Sequence, residues 1–293
     1  MTRATQLRGN VRQENTYKRG MSTEVTDLQV LAESVEAEMM YQYMAQASDE
    51  AKRGFGIETT RIGSGVVVSA RLDPYEFWSK ALGFTEPVSR DVIDRVIEFY
   101  RERSTPTALI HLAPWVPLPL DWDDICAAHG LQAERTVLKL AAPVSELTVR
   151  SVTDLRLSRV DERHAQTWAE VVAEVFDMEH PALTAVLAQS TQHPASIPFA
   201  AWDGDQIVAA ANLYLHGTVG LLNTGATLPS HRGRGAQSAL IAARIEAARA
   251  LGVTWVVAET GLPAEGQVNP SLRNLERAGL RVLYARQSWR WRA

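Results

Sequence analysis

The chain of 293 residues holds a single cysteine, Cys126, which excludes an internal disulfide framework and a cysteine-only metal site. One thiol suits a reducing, cytoplasmic setting. Cys126 sits in Asp-Ile-Cys-Ala-Ala on a helical pattern, where an inert buried thiol is the expectation rather than a nucleophile. No run approaches the roughly 20 apolar residues that a membrane-crossing helix requires. Nor is there a strong charge of either sign: a net charge of -4 and a pI near 6.0 offer no basic face for nucleic acid. Residues 1–20 carry Arg3, Arg8, Arg12, Lys18 and Arg19 but no apolar segment of a secretory signal. A disordered extension over 1–22 is expected, with Met21 as an alternative start. The remaining composition, 46% hydrophobic and 22% charged, is that of a soluble globular protein long enough for two domains.

What is present centres on Leu221 to Ser238, where an apolar segment ends at Pro229, the loop His231-Arg232-Gly233-Arg234-Gly235 follows, and a helical stripe begins at Leu240, Ile241 and Ile245. Strand, loop and helix in that order leave unpaired backbone amides at the helix start. Glycines permit close approach, the helix dipole favours negative charge, and Arg232 and Arg234 add two cations. The stretch suits a phosphate. A nucleoside-triphosphate loop would need Gly-Lys-Ser/Thr, which is absent, and a dinucleotide fingerprint lacks its third glycine.

Along the chain, apolar residues at three and four spacing predict a helix from Asp27 to about Gly54, and Ile57 to Arg71 reads as two strands joined at Gly63-Ser64-Gly65. Pro74 to Leu82 reads as a short helix, and Ser89 caps another that runs to Arg103. Thr107–Ala113 reads as a strand, Asp121–His129 as a helix closed by Gly130, and Leu131–Leu140 as a strand, with Ala141 to Ser145 as a linker. The second half repeats the alternation: strand Leu155–Val160, helices Glu162–Phe176 and Pro181–Gln189, and a hairpin about Asp203-Gly204. The strand Leu221–Leu228, the loop, a helix to Leu251 and the strand Thr254–Thr260 follow. A helix from Asn269-Pro270 to Gly279 and the strand Val282–Trp291 end the chain.

The loop Arg232-Gly233-Arg234-Gly235-Ala236-Gln237 and this order of elements resemble the GCN5-related N-acetyltransferase (GNAT) superfamily, with Gln237 where that family has a small residue. The resemblance covers residues 146–293. It implies an α/β (α+β) fold of tandem GNAT-like domains, each a mixed, mostly antiparallel sheet flanked by helices, with a splayed strand pair in the C-terminal domain. Residues 23–145 look like a degenerate copy, since Cys126 to Leu131 mirrors Leu275 to Leu280, and the stretch Gly83 to Ser89, where the copy's loop would lie, has no Gly-x-Gly.

The resemblance further implies acetyl-coenzyme A as cosubstrate, its pyrophosphate held by amides of Gly233, Arg234, Gly235, Ala236, Gln237 and Ser238 beside Arg232. Ala226, Thr227 and Leu228 would face the pantetheine arm, with Asn269 and Asn274 on the flanking helix; Asn269 is equally explained as a helix cap. A primary amine of a small molecule or peptide would attack the thioester directly, and must lose its proton to do so. Glu259 at the end of the fifth strand is the candidate base, though a solvated strand-end glutamate accounts for it too. Asn223 stands where relatives often carry a glutamate, and Leu275 where they carry the tyrosine that protonates the thiolate, so Tyr284 is the candidate acid. No metal, nucleic acid or membrane partner is implied, and a homodimer is compatible. The alternatives are a non-catalytic acyl-coenzyme A sensor and a protein-interaction module. Trp168, Trp202, Trp289 and Trp291 are expected in the core before an acceptor pocket.

Overall fold

The computed structural model describes residues 27–148 and 150–293; the extension expected over 1–22 and the start at Met21 lie outside the described residues. The first half gives helices α1 (Asp27–Ala45) and α2 (Asp49–Phe55), strands β1 (Ile57–Ile62), β2 (Gly65–Ala70) and β3 (Lys80–Leu82), helix α3 (Arg90–Glu102), strand β4 (Thr107–Leu112), helix α4 (Trp122–His129) and strand β5 (Gln132–Pro143). The second gives β6 (Arg156–Arg159), α5 (Ala165–Val175), α6 (Pro181–Ser190), β7 (Ser196–Asp203), β8 (Gln206–His216) and β9 (Val219–Thr227). It closes with α7 (Ala236–Ala250), β10 (Trp255–Gly261), α8 (Pro270–Arg277) and β11 (Arg281–Arg292).

The eleven strands of the described residues join one mixed sheet in the order β1-β2-β3-β4-β11-β5-β10-β9-β8-β7-β6. Each half therefore gives its last strand to the other. β11 pairs with β4 (Trp289 opposite Ile110), β5 pairs with β10 (Ala141 opposite Val257), and β5 and β11 lie antiparallel side by side. Exchanged in this way, the final strands bury the edges that β4 and β10 would otherwise expose. Helices cross the same divide: Met40, Met44 and Phe55 of α1 and α2 share an apolar cluster with Trp168, Leu183 and Leu187 of α5 and α6. Val35 of α1 packs with Leu221 of β9 and Val257 of β10.

Three local expectations are corrected. The helix predicted from Asp27 to Gly54 breaks after Ala45, and Ser48 starts α2 by accepting the Ala51 amide, a cap worth about 1 kcal/mol. Ala141 to Pro143, read as linker, are the end of β5. Pro74 to Leu82 is no helix: the Asp73 carboxylate takes the amides of Tyr75, Phe77 and Trp78 at 2.9, 2.8 and 2.7 Å, a local alternative to helical bonding. That turn delivers the chain into β3. The four tryptophans named above behave as expected: Trp168 and Trp291 are fully buried, Trp202 belongs to the α5–α6 cluster and Trp289 packs against the α3–α4 cluster.

Candidate active site

β9 and β10 run parallel as far as the pair Leu222–Ala258 and then splay apart. On its other edge β9 carries a bulge, because Asn223 pairs with Asn212 and Ala226 with Ala210, leaving Thr224 and Gly225 outside the ladder. Thr224 takes φ 54°, a conformation that few non-glycine residues adopt. The bulge is held by Arg244 of α7, a buried guanidinium that donates to the carbonyls of Asn212 and Asn223, both at 3.1 Å. Burial lowers its pKa to about 9. An arginine inside the apolar stripe of α7 is the sequence signal for this role.

Beyond β9, Gly233 and Gly235 take φ 83° and 79°, and a Cβ at Gly235 would collide with the Val152 carbonyl oxygen. Glycine is required there twice over. The first backbone bond of α7 runs from the Ala239 amide to Gly235 O at 3.0 Å; among the described residues no amide from Gly233 to Ser238 has a backbone acceptor. Five of these six residues, Gly233, Gly235, Ala236, Gln237 and Ser238, line a cleft of about 750 Å³, lined also by Gly225 and Thr227 of β9, Asn274 of α8, and the exposed cations Arg232 and Arg277. Arg277 was missed because a basic residue in a helix's last turn reads as an ordinary dipole partner.

Several expected ligand groups are otherwise employed. Ala226 and Leu228 are buried in the core, and the Leu228 amide goes to Val208 O at 3.0 Å, so of β9 it is Gly225 and Thr227 that face the cleft. The Arg234 side chain turns away from the cleft to ion-pair with Asp154 and, at 2.5 Å, Asp203, leaving its backbone amide to the cradle. Asn269 caps α8 by accepting the amides of Ser271 and Leu272, while its Nδ2 donates to Thr260 and Gly261, and it does not line the cleft. Gln237, the departure from the family pattern, bridges the two flanking helices by accepting from Asn274 and donating to Ser271 at 3.2 Å.

A second cavity of about 500 Å³ adjoins the cleft: Asn223 and Thr224 line it while Gly225 lines the cleft, and at the end of α5 Phe176 lines it while Val175 lines the cleft. Its wall includes Glu36, Phe77, Trp78, Lys80, Arg135 and Glu259. Glu259 is partly exposed to the cavity and not free, since it pairs with Lys139 at 3.2 Å and with Arg286. Behind it Lys139 also meets Glu36, and Arg286 meets Glu33 at 2.8 Å and Glu36 at 2.9 Å. Burial alone would raise the Glu36 carboxyl, but Arg286 and Lys139 outweigh it and hold the group well below its ordinary value. His111 is held neutral by burial and by the nearby cations Arg286 and Lys80.

Tyr284 belongs to this cluster and not to the cleft: it is fully buried and donates to Glu33 at 2.6 Å. The expectation of Tyr284 as proton donor to the thiolate fails, because β11 crosses into the other half and takes the side chain with it. Leu275, in the family's acid position, is core. Cys126 is partly buried against the α3–α4 cluster, and burial pushes its thiol up to about 11. No described helix is long and apolar enough to cross a membrane.

Residues 162–268 match the model of the acetyltransferase (GNAT) family. No curated protein matches the chain. Among solved structures, a GCN5-related N-acetyltransferase from Kribbella flavida aligns with TM-score 0.60 at 14% identity, covering 88% of this chain and 94% of that one. One from Sphaerobacter thermophilus gives 0.58 at 15%, covering 88% and 91%. A tandem GNAT protein from the clavulanic acid biosynthesis pathway gives 0.54 at 12%, covering 93% and 97%. The fold is thus the tandem GNAT form along nearly the whole chain.

Proposed function

We propose, for a chain whose residues 162–268 are a domain of the acetyltransferase (GNAT) family, that it transfers an acetyl group from acetyl-coenzyme A to a primary amine. The observation that carries this is the row of amides from Gly233 to Ser238, unclaimed by the backbone of the described residues, of which Gly233, Gly235, Ala236, Gln237 and Ser238 line a cleft with two exposed arginines. Such an array matches a pyrophosphate, whose oxygens accept several amides at once. The splayed end of β9 supports the rest: the pantetheine arm runs beside Gly225 and Thr227, and the thioester reaches Thr224, where the 750 Å³ cleft meets the 500 Å³ cavity. The amine enters from the cavity side, where Glu259 faces it. Nitrogen adds to the thioester carbon, the carbon–sulfur bond breaks, and coenzyme A leaves as the thiol.

The burial of Tyr284, with its hydroxyl on Glu33, and the aliphatic side chain at Leu275 favour a second reading, acyl-coenzyme A binding without turnover, because neither residue can protonate a departing thiolate in the cleft. Two measurements decide. Saturating acetyl-coenzyme A should raise the unfolding midpoint, since a ligand at 100 times its Kd stabilises by about 2.7 kcal/mol. Free-thiol release with an amine panel should then be acceptor-dependent. No thermal shift would overturn both readings, and a shift with no thiol release from any amine would leave the sensor.

A further inference from the structure

We propose that the 500 Å³ cavity admits an acceptor that carries an apolar body and an anionic group besides its amine, a hydrophobic amino acid or close analogue, with the anionic group held by Lys80. This rests on the acyl-transfer reading above and adds the substrate class to it.

Three observations point the same way. The first is the wall: Met39, Met40, Trp78, Phe176, Leu183 and Leu187 make it predominantly apolar. Its volume lies within the roughly 300–1,000 Å³ of small-molecule sites, so an aromatic or branched side chain is within its compass.

The second is Lys80, which is 5% exposed and lines the cavity. Among the described residues its ammonium has no hydrogen-bond or ion-pair partner; it rests over the Phe77 ring, 3.5 Å from the centroid. The molecule supplies its own control, because Lys139, buried as deeply, is paired with both Glu36 and Glu259. Burying an ammonium without an anion costs free energy, so the protein holds one cation ready for a carboxylate that it does not itself provide. Arg135 puts a second cation on the same wall, its Nε without a partner.

The third is Glu259, which follows Ala258, the last residue of β10 paired with β9, and keeps 26% of its side chain exposed. It offers the cavity a carboxylate where the thioester's strand splays away. A zwitterionic acceptor meets a cation and a carboxylate on one apolar wall. The ammonium first releases one proton to water; the neutral amine then attacks, one N–C bond forms, one C–S bond breaks, and the second proton lost by nitrogen is gained by sulfur, so that one proton is released overall.

The test is an acceptor panel with saturating acetyl-coenzyme A: phenylalanine and leucine against phenylalaninamide, leucinamide and phenethylamine, read by thiol release. The acids should exceed their amides in kcat/KM by about tenfold or more, the size of one hydrogen-bonded charge contact. Lys80→Met should abolish that preference and Lys80→Arg should retain it, the loss appearing in KM. Amides used as well as acids by the unaltered protein, an acid preference that survives in Lys80→Met, or transfer from octanoyl-coenzyme A better than from acetyl-coenzyme A with the acids silent would each overturn the proposal. The acid–amide comparison in the unaltered protein needs no variant to fold. A thermal shift with acetyl-coenzyme A alone separates the two levels: no shift removes the acyl-transfer reading and the proposal with it, whereas a shift with only uncharged or cationic amines consumed removes the proposal alone.

Discussion

The two halves of the chain build the same turn and use it in opposite ways. In each, a strand (β3 or β9) runs parallel to its neighbour (β4 or β10), a loop with positive-φ glycine follows, and a helix (α3 or α7) leaves it. Around Gly83 the protein satisfies itself. Ser64 Oγ accepts the amides of Thr85 and Glu86, Val88 donates to Pro117 O, and Ser89 caps α3 through the Val92 amide. Helix α1 closes the space, with Ala37 against Gly83. Around Gly233, among the described residues, the amides from Gly233 to Ser238 have no backbone acceptor, and the cleft is open. A binding loop is distinguished less by its glycines than by donors that the fold declines to use.

The comparison can be broken most severely at the seam that joins the halves. Arg286, on the strand exchanged from the second half, meets Glu33 and Glu36 of the first and Glu259 of the second, and is fully buried. Arg286→Met keeps the length and removes the cation, leaving Glu36 and Glu259 to Lys139 and Glu33 with only the Tyr284 hydroxyl. Removal of one partner from a buried charge network costs about 3–5 kcal/mol. Urea denaturation should show that loss in one cooperative transition for both halves; two separate transitions, or a loss below about 1 kcal/mol, would show that the seam does not couple them.

Lys80 sharpens the contrast by having no counterpart to Arg286's carboxylates. Burial outweighs the distant attraction of Glu36 and Glu259 and lowers its pKa from 10.5 to about 8. In the unfolded chain the lysine holds its proton up to the ordinary value, so between about 8 and 10.5 the unfolded state binds more protons and folded-state stability rises with pH. Lys80→Met should therefore stabilise the fold near pH 7 by up to about 3 kcal/mol, the energy of the shift at about 1.36 kcal/mol per unit. That advantage should fade as pH climbs from 8 through 10.5. A constant difference from pH 7 to 10.5 would mean that the ammonium is already neutralised.

Much of this was legible in the residues, for identifiable reasons. The cradle could be read because its signal is local: Gly-x-Gly between an apolar strand and an apolar stripe fixes strand, loop and helix without help from elsewhere. The splayed strands and tandem form came with the family resemblance that the loop and the element order carry. The acceptor cavity was not legible, since its charged residues come from α1, β3, β5 and β10, which only the sheet brings together. Reading Pro74–Leu82 as a helix hid Phe77, Trp78 and Lys80, because the Asp73 carboxylate overrides helical bonding in a way that composition does not reveal. Tyr284 and the exchange of β5 and β11 escaped for the same reason: sequence order assigns a final strand to its own half, and pairing across the seam is a non-local outcome.

The finest test places one methyl group in each loop. Gly83 and Gly233 take φ 78° and 83°, so alanine at either costs about 1–2 kcal/mol of backbone strain. Their surroundings differ: a Cβ at Gly83 meets Ala37 of α1, whereas at Gly233 nothing lies within 4 Å. Gly83→Ala should accordingly lose more stability, the strain plus an overpacking cost of about 1 kcal/mol or more, while the folded protein binds acetyl-coenzyme A as before. Gly233→Ala should lose only the strain, but its methyl group projects into the space that the pyrophosphate must enter, and affinity should fall by about tenfold, some 1.4 kcal/mol. Calorimetric titration of the two purified variants reads the affinities, and urea midpoints read the stabilities. Equal affinity in both would return the Gly233 loop to the status of its partner, a turn that ends a strand and starts a helix.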